Sequence, residues 1–283
     1  MDPENPLPRA HSWQRNDVSF EMSLAKNLSE LLDLQQIRPD AYLAPSAMTG
    51  WGRIYGGQAI AQALRAAAAT VNPEHLPHSL HAYYLRQGDE TQPVVYEVQR
   101  LRDGGSFSSR QVVASQPSGA ILNCIASFHK PEDSIDVSAQ DIPDYVTAFD
   151  QLTDDETPLF FQSRAVRNEN DMADHAWMKT IESFGDDPVM NACAMAYLSD
   201  EHLLGSALSD HELIGDWDKF MTASLDHALW FHRPFRVDQW HCFVLNGHGL
   251  SDARGLSTAQ IFSADGRLVA TAAQEALGRP RRI

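Results

Sequence analysis

The sequence predicts an α+β chain in which one antiparallel unit is used twice. Two observations carry this: a pair of alanine-rich helical stretches far apart in the chain, and strand-like runs that follow each of them in the same order. A third, the Asp103-Gly104-Gly105 turn between two alternating runs, is a strong hairpin signal. The composition suits such a chain. Its 283 residues are 43% hydrophobic and 21% charged, enough for one large domain or two of average size. Lys and Arg number 22 against 38 Asp and Glu, a formal net charge of −16. That balance speaks against nucleic acid as a partner, because counterion release needs a basic surface. No run reaches the roughly 18 consecutive apolar residues of a membrane span. Met1-Asp2-Pro3-Glu4-Asn5-Pro6 also lacks the charged start and apolar core of a signal peptide. Cys124, Cys193 and Cys242 are too sparse for a disulfide framework and form no C-x-x-C pair. The expectation is a cytoplasmic globular protein without a membrane partner.

Taken in order, residues 1–21 are polar and proline-bearing and read as a flexible arm. Leu24, Leu28, Leu31 and Leu32 recur at helical spacing, which predicts a short amphipathic helix over 22–34. The first unit, 22–131, continues with GGQAIAQALRAAAATV (56–71) as a helix and HSLHAYYLR (78–86) as a strand. The runs VVYEVQRLRDGG and SFSSRQVVAS form the hairpin, and AILNCIASFHKP (120–131) closes the unit. Residues 132–157 are acidic and, with their flanks, carry three prolines and little periodicity. They read as a linker, with a partly ordered surface loop as the alternative. The second unit, 158–283, repeats the order. PVMNACAMAYLSDEHLLGSAL (188–208) is helical with Pro188 in its first turn, and SLDHALWFHR (224–233) echoes SLHAYYLR. WHCFVLNGHGLSDARGLSTAQIFS (240–263) reads as a strand pair with a longer Gly-rich connection, and RLVATAAQEALGRP (267–280) as the closing strand. Helices so rich in small residues suit a sheet curled around them, since backbone then meets backbone. An open sheet carrying Ala-rich helices fits the pattern equally well.

The strings YGGQAIAQAL, HSLHAYYLRQGD, LRDGGSFSSRQV, ASLDHALWFHRPF and VATAAQEALGR together resemble the acyl-CoA thioesterase II (TesB-like) family, from about Ser23 to Arg279. The resemblance implies a double hotdog fold: two helix-wrapped antiparallel β-sheet units fused in one chain. It implies hydrolysis of medium- to long-chain fatty acyl-CoA to free fatty acid and CoA, with no cofactor and no metal. It also implies a homo-oligomer, dimer or tetramer, since such units leave an exposed sheet face.

By the same resemblance, the groups that activate water fall on Asp200, Ser224 and Gln274, and His78 falls near the site. Periodicity bears on two of these. On a helix, Asp200 shares a face with Cys193, Ala196, Tyr197, Leu203 and Leu204, an apolar stripe that would desolvate the carboxylate and make it a better base. On the last strand, Gln274 alternates with Leu268, Ala270, Ala272 and Ala276, which marks a buried amide. Gln cannot accept a proton, so Asp200 is assigned the proton while Ser224 and Gln274 hold the water. Attack by Ser224 itself lacks a His partner and a G-x-S-x-G elbow. Structural readings stand beside these: Asp200 as the cap of a helix starting at Glu201, and Gln274 as a satisfied core amide. Gly56 and Gly57 at a helix start offer backbone N–H groups to a thioester oxygen or phosphate. Asp226 and His227 are adjacent on a strand, point to opposite faces, and do not form a dyad. His227, His232, His241 and His248 show no metal-ligand spacing. For the CoA phosphates the arginine candidates are Arg100, Arg102, Arg110, Arg233, Arg236 and Arg254. Two other readings use the same architecture: a non-catalytic acyl-CoA-binding protein, and an enoyl-CoA hydratase.

Overall fold

A helix made largely of alanine can be enclosed on every side, because no long side chain holds the surrounding sheet away. The structure, a computed structural model, describes residues 24–138, 140–167, 173–208 and 220–281; the arm expected over 1–21 lies outside them. The first half contains α1 (Leu28–Leu31), β1 (Gln35–Arg38), β2 (Ala41–Ala44), α2 (Gly56–Ala68), β3 (Leu76–Tyr84), β4 (Val94–Asp103), β5 (Phe107–Gln116) and β6 (Gly119–His129). The second contains β7 (Phe161–Arg167), β8 (Ala173–Thr180), α3 (Pro188–Ser199), α4 (Leu203–Ala207), β9 (Phe220–Ser224), β10 (Asp226–Phe231), β11 (His241–Ser251), β12 (Arg254–Ser263) and β13 (Leu268–Pro280).

All the strands join one 13-stranded antiparallel sheet, in the order β1-β2-β4-β5-β6-β3-β10-β13-β12-β11-β8-β7, with β9 also paired to β13. Read outward from the β3–β10 junction, the two halves are the same. Strands β3, β6, β5, β4 and β2 on one side match β10, β13, β12, β11 and β8 on the other. The junction runs through Leu80↔Leu229, His81↔Ala228 and Ala82↔His227. Helix α2 packs against β2 to β6, and its residues Gly57 to Leu64, Ala66 and Ala67 are all buried. Helix α3 is buried from Asn191 to Ser199. The sheet therefore wraps its helices, the arrangement of a double hotdog.

Several elements depart from the sequence-based expectation, each for a local reason. The helix expected over 22–34 is one turn. The N–H groups of Leu28 and Ser29 donate to the Glu182 carboxylate at 2.6 and 3.0 Å, so they are spent outside the helix and it starts there. The leucine spacing reported burial rather than helix length, since Leu28, Leu31 and Leu32 are all buried. The helix expected over 188–208 breaks after Ser199. His202 adopts a left-handed conformation, φ 65°, and its Nε2 lies 3.0 Å from Ser163 Oγ, which fixes the corner between α3 and α4. The connection between β11 and β12 is short. Asp252 and Ala253, φ 52° and 58°, make a two-residue turn of the hairpin-favouring kind, while Asn246 to Gly249 lie inside β11 beside a register shift. Strands β1, β2, β7 and β8 have no counterpart in the pattern reading; they are short or carry interior charge.

The acidic segment between β6 and β7 is a strap as well as a connection. Its Ile142, Val146, Phe149 and Leu152 pack on Trp177, Cys242, Val244 and Phe262, on the outer face of the second half. Trp177 Nε1 donates to the Thr147 carbonyl at 2.9 Å, and the Thr147 N–H donates to His175 Nε2 at 3.1 Å.

The two helices cross in backbone contact. A Cβ on Gly57 would lie 2.3 Å from the Tyr197 carbonyl oxygen and 2.4 Å from Tyr55 Cε1. Gly57→Ala is therefore expected to lower stability by about 3 kcal/mol, the upper end for overpacking, because the obstacle includes backbone. A urea midpoint equal to that of the parent would show that the crossing has slack.

Candidate active site

The N-terminus of α2 points at the C-terminus of α3, and Asp200 occupies the gap. It is the C-cap of α3, in helical conformation (φ −79°, ψ −16°), so the helix ends with its side chain directed at α2 rather than at a new helix after Glu201. The Gly57 N–H donates to Asp200 Oδ2 at 3.0 Å, and the Tyr84 hydroxyl approaches Oδ1 at 3.5 Å. Gly56 makes the room. A Cβ there would stand 2.6 Å from Asp200 Oδ2 and 2.8 Å from Tyr84 Oη. The carboxylate is 8% exposed, and burial pushes its pKa up to about 6. The Gly57 N–H, the Tyr84 hydroxyl and the Arg53 charge each pull the other way without overcoming burial. Glu201 next to it is raised to about 7, by burial first and then by the Asp200 charge.

On the sheet side, a chain of hydrogen bonds runs through His227, whose ring comes within 4.0 Å of this carboxylate. Gln274 on β13 is fully buried; its Nε2 donates to Ser224 Oγ at 2.7 Å, and its Oε1 lies 2.8 Å from His227 Nδ1. His227 Nε2 lies 2.9 Å from Ser199 Oγ, and Nδ1 lies 4.0 Å from Asp200 Oδ1. Asp200, Ser224 and Gln274 are thus brought into one cluster with His227 at its centre. Ser224 ends β9, separated from β10 by Leu225, rather than opening the following strand. The buried Tyr55 hydroxyl, at the N-cap of α2, has no hydrogen-bond partner among the described residues.

Three residues of the cluster were not singled out by the sequence. His227 was set aside with Asp226, and the two do face apart. Asp226 Oδ1 accepts from the Glu275 N–H at 2.7 Å, away from the imidazole. The alternation of His227 with the buried Leu229 was the signal that it points inward. Tyr84 and Arg53 carried no periodic signal.

Two expectations need correction. His78 stands six residues before Tyr84 on β3, roughly 20 Å along an extended strand. Its Nε2 pairs with Ser127 Oγ at 2.8 Å and its ring sits edge-on to Phe107, so it does not border the cluster. The Gly57 N–H, offered above to a thioester oxygen or phosphate, is already directed at Asp200. Among the arginine candidates, Arg100, Arg110, Arg233, Arg236 and Arg254 are each held by a carboxylate, and Arg110 is wholly buried. Exposed Arg53, which donates to the Thr222 carbonyl at 3.4 Å, is the cation that reaches Asp200 electrostatically.

The repeat places a second helix junction at the other end of the β3–β10 interface, and the positions there that correspond to the cluster are apolar. The pairing symmetry relates His227 to Leu80, and Gln274 to Ala126, the partner of Leu80 on β6. Tyr84 corresponds to Phe231. Counted from the helix N-caps Tyr55 and Asp187, Asp200 corresponds to Ala68.

A sequence profile described as acyl-CoA thioesterase matches residues 155–277, and one described as acyl-CoA thioesterase N-terminal domain matches residues 44–129. The chain is 33% identical to acyl-CoA thioesterase 2 of Haemophilus influenzae over 283 residues, covering 90% of this chain and 98% of that one. It is 32% identical to human acyl-coenzyme A thioesterase 8 over 289 residues, covering 89% and 88%. Among solved structures, acyl-CoA thioesterase II TesB2 of Mycobacterium marinum superposes with a TM-score of 0.75 at 34% identity, covering 90% and 97%. A hot dog fold protein of Alicyclobacillus acidocaldarius gives 0.75 at 16% identity, covering 90% and 98%, a likeness of fold.

The raised pKa of Asp200 has a stability consequence with a definite sign. The folded chain holds this proton more tightly than the unfolded one, so the associated stability is whole below about 3.8 and is lost as pH rises through about 6. Asp200→Asn, uncharged throughout, is expected to unfold at a higher temperature than the parent at pH 8, by roughly 3 kcal/mol at most. The gain should vanish below about pH 4. A difference between the two proteins that does not change with pH would contradict the buried carboxylate.

Proposed function

The chain belongs to the acyl-CoA thioesterase family and is a thioester hydrolase, and on that footing we propose that it cleaves medium- to long-chain fatty acyl-CoA with a water molecule deprotonated by Asp200. The observation that carries the mechanism is a buried carboxylate raised to about 6, 4.0 Å from an imidazole nitrogen that the Gln274 amide links to the Ser224 hydroxyl. At neutral pH the group is mostly ionised and still basic enough to take a proton from water. Ser224 and Gln274 fix the water by hydrogen bonds, so that its lone pair faces the thioester carbon. Water adds to that carbon as its proton passes to Asp200, and a tetrahedral oxyanion forms. Collapse breaks the C–S bond, and the proton on Asp200 leaves with the CoA sulfur. The buried hydroxyl of Tyr55 is a further donor at the same helix end.

The same proposal includes a homo-oligomer in a reducing compartment such as the cytoplasm. Tyr83 (63% exposed) and Ile125 (49%) stand on neighbouring strands of the outer sheet face, supporting self-association there. Three unpaired, buried cysteines support the compartment. No helix of the described residues is long and apolar enough to cross a membrane. We read 22–131 and 158–283 as the two units and 132–157 as their connection.

Thiol release from a panel of acyl-CoA chain lengths is the direct test. Asp200→Asn is expected to lower kcat by roughly 100-fold or more, the scale of a lost general base, while acyl-CoA binding survives. In the parent, kcat/KM should fall on the acid side with a midpoint near 6, as Asp200 takes up its proton. Arg53→Gln should move that midpoint upward, because a charge that favours the carboxylate is gone. Full activity in Asp200→Asn would exclude Asp200 as the base.

A further inference from the structure

We propose that His227 is a positioning residue: through Nδ1–H it holds the Gln274 amide with its nitrogen toward Ser224. The inference rests on the reading of Asp200, Ser224 and Gln274 as the water-holding set.

The argument is one of donors and acceptors. Gln274 donates from Nε2 to Ser224 Oγ at 2.7 Å, so the oxygen Oε1 is the atom that faces His227 Nδ1 at 2.8 Å. An amide oxygen only accepts, so Nδ1 must carry a hydrogen. His227 is 1% exposed, and burial favours the neutral ring. A neutral ring protonated at Nδ1 has a bare Nε2, which takes the hydroxyl hydrogen of Ser199 at 2.9 Å. Because the Ser199 hydroxyl can instead donate to the Ala196 carbonyl at 3.0 Å, the tautomer is set at the other ring nitrogen, where the Asp200 carboxylate, 4.0 Å from Nδ1, favours a hydrogen. All four groups, Ser199, His227, Gln274 and Ser224, are then satisfied in one direction.

The alternative orientation of the amide is excluded by the same ring. A half-turn of the Gln274 amide changes its shape very little, but it would set –NH2 against Nδ1–H. That pairs two donors in a buried space, where an unmade hydrogen bond is costly. The flipped amide would also present oxygen to Ser224 and remove the N–H donors from the water. His227 thus decides which end of Gln274 the water meets, although it does not itself face the substrate. The apolar second junction agrees, for the partner of Leu80 there is Ala126 and no amide needs orienting.

The test is a double-mutant cycle on thiol release, with kcat and KM measured for the parent, His227→Phe, Gln274→Ala and the double variant. Phe keeps the ring volume and removes both nitrogens. We expect His227→Phe to lower kcat by about tenfold or more with KM within about twofold, and to add nothing to Gln274→Ala, because both act through one group. His227→Asn, whose amide N–H can stand near the Nδ1 position, should recover part of the loss. Independent losses that multiply in the double variant, or full kcat in His227→Phe, would overturn the proposal. Should His227→Phe fail to fold, His227→Leu, the residue at the equivalent position of the other half, replaces it in the cycle with the same absence of additivity expected. If Gln274→Ala itself keeps full kcat, the water-holding reading falls and the positioning role with it. If Gln274→Ala is slow and His227→Phe is not, only the positioning role falls.

Discussion

The close crossing of α2 and α3 is the constraint on which the molecule turns. Because Gly57 has no side chain, the Tyr197 carbonyl can approach the place where a Cβ would be, and the end of α3 comes to face the start of α2. Asp200 is then set between a helix C-terminus, whose dipole repels it, and a helix N-terminus, whose Gly57 N–H binds it. The second contact wins because it is a direct hydrogen bond. The result is a carboxylate that stays ionised near neutral pH yet is held away from bulk water.

Around that carboxylate the protein uses neutral donors rather than a fixed cation. Tyr84 and Gly57 offer hydrogen bonds, while Arg53, exposed at the rim, acts only at a distance. A buried Arg in direct contact would have pulled the carboxyl far down and made it a poor base. The imidazole of His227, with its pKa pressed down to about 4 by burial, contributes geometry without charge. Acidic residues dominate the surface, and most arginines near the sheet are already paired with them, so the chain's arginines mainly balance its own acids.

Much of this was legible in the residues, and the remainder was not for physical reasons. The repeat could be read because a wrapped helix needs small side chains at most of its contacts, which left the alanine-rich runs at 56–71 and 188–208. Burial of Gln274 followed from strict alternation on a long strand. Asp200 could be seen to lie on an apolar stripe, but the stripe was drawn through Leu203 and Leu204, beyond a corner that depends on His202 and Ser163, 39 residues apart in sequence. Four strands, two of them short and two with interior charge, escaped because their pairing, and not their pattern, makes them strands. His227 was passed over because its partners, Ser199 and Gln274, are distant along the chain. Only the resemblance brought Ser224 forward, since a single serine carries no pattern.

The apolar second junction shows what joining the two halves in one polypeptide permits. Two identical, separate subunits related by a dyad must carry the same side chain at both helix ends, so a charge buried at one is buried at the other. Here Ala68, Leu80, Ala126 and Phe231 occupy one end while Asp200, His227, Gln274 and Tyr84 occupy its counterpart. The destabilisation that comes with enclosing a carboxylate is incurred once per pair of sheets instead of twice. The quiet end is left free to drift toward tighter hydrocarbon packing, and substitutions that strengthen it can accumulate without disturbing turnover at the other.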